Sequence, residues 1–338
     1  MNRFIQADPK TQKLYYEQTA SKINLPTHMI EKDFWVCWTL KTLFSLDELN
    51  KHLTFKGGTS LSKVFGLIER FSEDIDLSIE KSFLGFHGEL DPANAPSNKK
   101  RQALIKDLGD ACRTYVQNTL QTMLEKEISS IIPSEYSWVL KIDPDDPDQQ
   151  SLIFEYPKII EASPTYVKSS IKIEMGARAE HWPVGIYTIT PYVTELKTDI
   201  LTDMDTNIRT LNVERTFWEK ATILHMYAHY PEGKIVPTRQ SRHFYDFYRL
   251  LNSEAKDIAL ENKDLLSKVA QHKMLYYPAK WANYEAAEKE ALRLIPQAEV
   301  VDQLEKDYRQ MSDMIYGEIP SWKNILSEIQ SFEKQFNK

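Results

Sequence analysis

Two short stretches hold residues whose types and spacing can do chemistry. Gly57-Gly58-Thr59-Ser60 follows a strand-like run, His52-Leu53-Thr54-Phe55-Lys56, and Asp74-Ile75-Asp76 opens a second run that alternates to Ile79. Two glycines after a strand let the backbone turn tightly and leave its N–H groups open. A helix that follows adds its unsatisfied first-turn donors and the positive end of its dipole, which together suit a triphosphate. The Thr59 and Ser60 hydroxyls can add uncharged hydrogen bonds. Asp74 and Asp76 sit two apart on a strand, so both carboxylates point to one face. Such a pair suits Mg²⁺ or Mn²⁺, a hard cation that takes oxygen ligands and keeps waters and phosphates. Two ions held this way can activate a hydroxyl and stabilise departing pyrophosphate.

A third carboxylate usually completes this geometry, and Glu174 is the candidate. Ser170-Ile171-Lys172-Ile173-Glu174-Met175 alternates its isoleucines with Lys172 and Glu174, so Glu174 reaches the metals if its strand neighbours that of Asp76. Two later residues break the apolar pattern of their helices. Lys220 lies on the stripe of Phe217, Ala221 and Leu224, where it either snorkels or points into a site. Asp246 lies within Phe244-Tyr245-Asp246-Phe247-Tyr248, one turn from Arg242 and Arg249, so an ion pair with those arginines competes with a catalytic role.

Other patterns read as structure. His225 and His229 have zinc-like spacing without the glutamate of a zinc-peptidase helix, and read as packing residues. The four aspartates from Asp143 to Asp148 lack the glycine and distal glutamate of a calcium loop, and read as a solvated hairpin loop. Cys37 and Cys112 fall in no metal or redox spacing and read as buried free thiols of a cytoplasmic protein. Lys99-Lys100-Arg101, with Lys106 and Arg113, reads as a solvated helix face that can also serve as a local basic surface.

These residues need elements to position them. Residues 10–45 read as two helices, 59–70 as the helix after the glycines, and 99–130 as one long helix. Strands fit 138–142, 152–156, 170–175 and 187–192, the last of them closing the strand-bearing part. From about 205 the pattern turns helical, with helices over 212–230, 241–253, 282–293, 298–316 and 321–335. The expected architecture is α+β: a domain over 1–205 with a mixed or antiparallel sheet and a helical extension over about 1–48, then an all-α domain over 206–338.

The chain has 338 residues, 42% of them apolar, enough for a sizeable core. Its formal charge of −7 argues against indiscriminate coating of nucleic acid but permits one local basic footprint. No apolar run approaches the roughly 20 residues of a membrane helix, and no apolar h-region opens the sequence.

Phe55-Lys56-Gly57-Gly58-Thr59-Ser60-Leu61 with Arg70-Phe71-Ser72-Glu73-Asp74-Ile75-Asp76-Leu77 resembles the AbiEii/AbiGii-type toxin family, nucleotidyltransferases of the polymerase-β superfamily. Glu31-Lys32-Asp33-Phe34-Trp35-Val36, Glu219-Lys220-Ala221, Arg242-His243-Phe244-Tyr245-Asp246 and Asp313-Met314-Ile315-Tyr316-Gly317 are similar to the family as well. The resemblance implies a polymerase-β-type domain in which Gly57 to Ser60 bind an NTP and Asp74 and Asp76 bind metal. It implies that Lys220 and Asp246 complete the active site from the helical side. It further implies transfer of a nucleotide to RNA, often a tRNA 3′ end, with block of translation and a separately encoded antitoxin. Modification of a protein hydroxyl and a catalytically dead binding module are the competing readings; the intact Asp74 and Asp76 count against the second. The gap between the glycines and Asp-x-Asp is longer than in many polymerase-β-type enzymes.

Overall fold

A computed structural model of the chain describes residues 1–72, 74–161 and 169–338. The chain forms two compact units, Met1–Val64 with Ser72–Thr210, and Phe65–Phe71 with Leu211–Lys338. The fold is α+β, with a mixed sheet in the first unit and helices in the second.

The first unit is built on seven strands: β1 (Leu53–Lys56), β2 (Ile75–Ile79), β3 (Val139–Ile142), β4 (Ser151–Glu155), β5 (Ile171–Gly176), β6 (Val184–Ile189) and β7 (Thr206–Leu211). Their order is β3-β4-β5-β2-β1-β7-β6. β2 runs antiparallel to β1 and parallel to β5, and β1 runs parallel to β7. Period-two alternation gives the sheet one apolar face of Leu53, Phe55, Leu77, Ile79, Ile171, Ile173, Leu152 and Phe154, all buried. The helices of this unit are α1 (Asn2–Ile5), α2 (Pro9–Ile23), α3 (Thr27–Ser45), α4 (Gly57–Lys63), α5 (Asn98–Tyr115) and α6 (Gln121–Ile131), the last two joined by a π turn over Val116–Leu120. α3 is buried on nearly every side, as an element enclosed by a core must be. Its Trp35 and Trp38 pack on Phe154 with ring centres 6.0 and 5.9 Å apart.

The second unit holds α7 (Val213–Ala228), α8 (Ser241–Leu251), α9 (Ala255–Glu261), α10 (Asp264–Tyr276), α11 (Tyr284–Glu288), α12 (Ala298–Met311) and α13 (Trp322–Phe336). Phe217 of α7, Phe247 of α8 and Phe332 of α13 meet at 4.9–5.7 Å in its core.

Several expectations are corrected. The helix after the glycines stops at Lys63 rather than near 70, because Gly66 turns the backbone to φ +63° and residues Phe65–Phe71 join the other unit. There Phe71 N–H donates to Met314 O, and Tyr316 N–H to Glu69 O. This detour accounts for the long gap before Asp-x-Asp. The strand at 184–189 is not the last, since β7 follows and pairs with β1. Helices α9 and α10 were not anticipated. The helix expected over 282–293 ends at Glu288, with Glu290 left-handed at φ +59° and the next backbone N–H groups donating to Asn337 and Glu333 side chains. Among the described residues no helix is long and apolar enough to cross a membrane.

If Trp35 and Trp38 seal the sheet through Phe154, Phe154→Ala should lower unfolding free energy by about 3–5 kcal/mol in urea denaturation. A loss below about 1 kcal/mol would contradict this packing.

Candidate active site

The polar face of the sheet carries the candidate residues of the first unit. β1 turns into α4 at Gly57, whose φ of +80° favours glycine. A Cβ at Gly57 would stand 1.8 Å from Asp76 Oδ2, so the absent side chain is what admits the Asp76 carboxylate. Lys56 pairs with Asp76 across β1 and β2, and Asp76 pairs with Glu174 across β2 and β5. Three charged side chains therefore stand in one row, with Asp74 one residue before β2. Burial raises the Asp76 carboxyl to about 7; Lys56 opposes the shift, while Glu174, hydrogen-bonded to it, and Asp74 reinforce it.

The Thr59 and Ser60 side chains are buried and bonded internally. Thr59 Oγ1 donates to the Asp74 carbonyl and shares a 2.9 Å hydrogen bond with the Ser72 hydroxyl, and Ser60 Oγ donates to Gly57 O at 2.8 Å. These bonds tie α4 to the start of β2, so what α4 presents outward is backbone.

Glu174 is held from its other side. Lys172 Nζ lies 2.8 Å from Glu174 Oε1 and 3.2 Å from Asp143 Oδ2. Burial pulls Lys172 down, but the two carboxylates outweigh it and hold the ammonium above its usual range. Asp143 is buried, and Asp146 accepts from Gln150 N–H, Asp148 N–H and the Ser151 hydroxyl. The aspartate run is the hairpin loop expected between β3 and β4, mostly exposed, and its turn is pinned by its own side chains because its backbone donors lie within reach of those carboxylates.

Sequence reasoning missed His181. Its ring bridges Thr54 Oγ1 at 2.7 Å and Ser78 Oγ at 3.2 Å on the same polar face, and burial lowers it to about 4. Thr54 and Ser78 are cross-strand partners one step beyond Lys56 and Asp76. The polar alternation of β1 and β2 signals that face, but nothing local ties a histidine more than 100 residues away to it.

Lys220 and Asp246 lie in the helical unit. Asp246 is fully buried and accepts from Arg70 Nε at 2.6 Å, Arg70 Nη2 at 2.8 Å and Lys220 Nζ at 2.6 Å. Burial would raise its carboxyl, but the two cations hold it well below the usual range. Burial also lowers Lys220, whose Nζ lies 3.1 Å from His243 Nδ1. Lys220 does not snorkel; it points inward. The competing reading pairs Asp246 with Arg242 and Arg249; its ion-pair partners are Arg70 and Lys220 instead, and Arg249 pairs with Glu69 at 2.8 Å. Helical spacing shows partners within a turn and cannot show one 176 positions away.

His225 is a packing residue: it is buried, its Nε2 bonds Asn283 O and its Nδ1 accepts from Arg293 N–H. Cys37 and Cys112 are buried free thiols, both pushed up to about 12 by burial. Among the described residues no three His, Cys, Asp or Glu side chains are already gathered to hold a metal. The Asp76–Glu174 contact nevertheless fits a cation: two hydrogen-bonded carboxylates with Asp74 nearby form an acidic oxygen donor set whose mutual repulsion a cation would relieve.

A sequence model described as "Nucleotidyl transferase AbiEii toxin, Type IV TA system" matches residues 38–337. The Glu31–Val36 stretch precedes that match. Among solved structures, the chain is similar to MenT4, a nucleotidyltransferase toxin from Mycobacterium tuberculosis H37Rv, at 12% identity over 95% of this chain and 96% of that one, TM-score 0.44. It is similar to JHP933 from Helicobacter pylori at 14% identity over 91% and 94%, TM-score 0.30. No curated protein matches.

Two outcomes follow from the charges. Asp76 keeps its proton to about pH 7 in the fold but has a usual value of 3.8. Between those values the folded state binds the extra proton, so this contribution to stability is full below pH 4 and is lost as pH rises to 7. Urea denaturation across pH 4.5–7.5 should show that slope reduced in Asp76→Asn; an unchanged slope contradicts the assignment. Asp246→Ala leaves Arg70 and Lys220 buried without their carboxylate and should cost about 3–5 kcal/mol; a melting temperature equal to wild type contradicts it.

Proposed function

The chain belongs to the AbiEii nucleotidyl transferase toxin family, and from that premise we propose that it transfers a nucleotide from an NTP to an RNA acceptor, a tRNA 3′ end, and so blocks translation. The observation that carries the reading is the row Lys56, Asp76, Glu174, with Gly57 against Asp76. An acceptor hydroxyl oxygen attacks the α-phosphorus and gives its proton to solvent, the bond to the bridging oxygen breaks, and pyrophosphate leaves. Asp74, Asp76 and Glu174 would hold Mg²⁺ or Mn²⁺, which supplies charge for the leaving group and acidifies the acceptor hydroxyl when bound. The backbone of Gly57 and Gly58 and the turn of α4 hold the triphosphate, and Lys56 adds a cation beside Asp76. Lys172 keeps Glu174 oriented. Within the helical unit, Asp246 fixes the Lys220 ammonium at 2.6 Å. A separately encoded antitoxin would keep this activity in check.

The acceptor needs cations near its phosphates. Lys99 and Lys100, exposed in the first turn of α5, support an RNA footprint. Lys168, Lys172 and Arg178, on or beside the Glu174 strand, are the alternative cations; Lys172 is engaged by two carboxylates, and Lys168 lies outside the described residues. Charge reversal of Lys99, Lys100 and Arg101 should reduce RNA modification and flatten its salt dependence.

Asp74→Ala and Asp76→Ala should each reduce transfer by about 10³ with the melting temperature kept, since a lost metal ligand removes several kcal/mol of transition-state stabilisation. The assay offers each labelled NTP with Mg²⁺ to purified tRNA and, separately, to RNase-treated lysate. Label on tRNA alone, absent in both variants, is expected. Label on a protein band that survives RNase would sink the RNA reading in favour of protein modification, and near wild-type transfer by either variant would overturn the metal assignment.

A further inference from the structure

The Glu31-Lys32-Asp33 run sits on α3, a core helix, with all three side chains buried. Such residues are almost never fully buried without partners. Glu31 accepts the backbone N–H of Ile159 at 2.6 Å. Asp33 reaches the other way: its Oδ1 lies 2.6 Å from Lys63 Nζ, and its Oδ2 accepts the Tyr192 N–H at 2.7 Å. The Lys63 ammonium also lies 3.8 Å from the centre of the Tyr192 ring. The Asp33 and Lys63 side chains keep only 3% and 6% of their surface exposed.

Lys63 is the last residue of α4, and Gly57 is the first. The helix is only seven residues long, too short to hold a fixed position by its own hydrogen bonds. Its first residue seats the Asp76 carboxylate, since any side chain there would strike it. We propose that the buried Asp33–Lys63 pair is a positioning device: it pins the far end of α4 to the core helix and thereby sets how Gly57 meets Asp76. This rests on the proposed function for its catalytic consequence, but the pin itself does not.

A buried ion pair is a poor source of stability, because desolvating two charges offsets their attraction, and replacing both by apolar residues of similar size is often neutral. What such a pair supplies is direction. Asp33 has two fixed acceptors filled by two different elements, Lys63 of α4 and the backbone of Tyr192. Leucine or methionine in their place would fill the volume but leave the Lys63 end of α4 without a directional bond, its first turn still tied to the start of β2 through Thr59.

The test is the double variant Asp33→Leu/Lys63→Met in the full chain, beside Lys63→Arg, which keeps charge and reach. Three readouts are taken: melting temperature, amide hydrogen exchange over residues 57–63, and the kcat and KM of nucleotide transfer. The double variant should still melt cooperatively, lowered only by the loss of the Tyr192 N–H acceptor, and exchange its α4 amides at least about tenfold faster. Its transfer should fall on the order of 10- to 100-fold, as expected for a shifted reacting group. Lys63→Arg should restore both. Wild-type exchange in the double variant overturns the proposal, and so does faster exchange with unchanged transfer. If the double variant does not fold, Asp33→Asn, which keeps shape and the Tyr192 bond, is read by the same criteria. If wild type transfers no nucleotide at all, the proposed function fails, and the exchange of residues 57–63 still decides whether the pin exists.

Discussion

The register of β2 between β1 and β5 is the constraint on which the rest of the first unit depends. Side chains on neighbouring strands face the same way only when their residues pair, and a slip of one residue would send every one of them to the other face. Here one pairing sets Phe55, Leu77 and Met175 on the apolar face, and the adjacent pairing sets Lys56, Asp76 and Glu174 on the polar one. The aromatic core under α3 therefore selects the same register that assembles the charged row. Packing and chemistry are two readings of one alignment.

Charge pairs recur in both units. Asp33 and Lys63 join α3 to α4, and Lys172 joins Glu174 to the turn at Asp143. In the helical unit Arg70, Lys220 and Asp246 form a closed set in which one carboxylate answers two cations. Each arrangement costs desolvation and is held by short, directional hydrogen bonds. Arg70 comes from the stretch between the glycine turn and Asp-x-Asp, so the extra length of that gap has a physical use: it delivers a guanidinium to Asp246.

Much of this was legible in the sequence because it is local. Period-two alternation marked the strands around Phe55, Leu77 and Ile173, and the glycine pair marked the turn into α4. Asp76 and Glu174 could each be placed on the polar face of a strand, but only pairing between those strands could make them neighbours. The order β5-β2-β1-β7 is non-local, which is why β7, an edge-like Thr206-Asn207-Ile208-Arg209 run, was passed over although it lies beside β1. The partners of Asp246, Asp33 and His181 stand far off in sequence, and no periodicity carries such pairs. The Thr59 and Ser60 hydroxyls, read as outward donors, are turned inward by bonds to Asp74, Ser72 and Gly57 that depend on how α4 meets β2.

We propose that the Asp76–Glu174 row is a cation site serving a nucleotide. Titrating Mn²⁺ into the protein with a non-hydrolysable NTP, followed by electron paramagnetic resonance, tests it most directly. Wild type should bind Mn²⁺ in a nucleotide-dependent manner, and Asp76→Asn should lose that binding while folding normally. Equal Mn²⁺ binding by the two proteins, with or without nucleotide, would contradict the account.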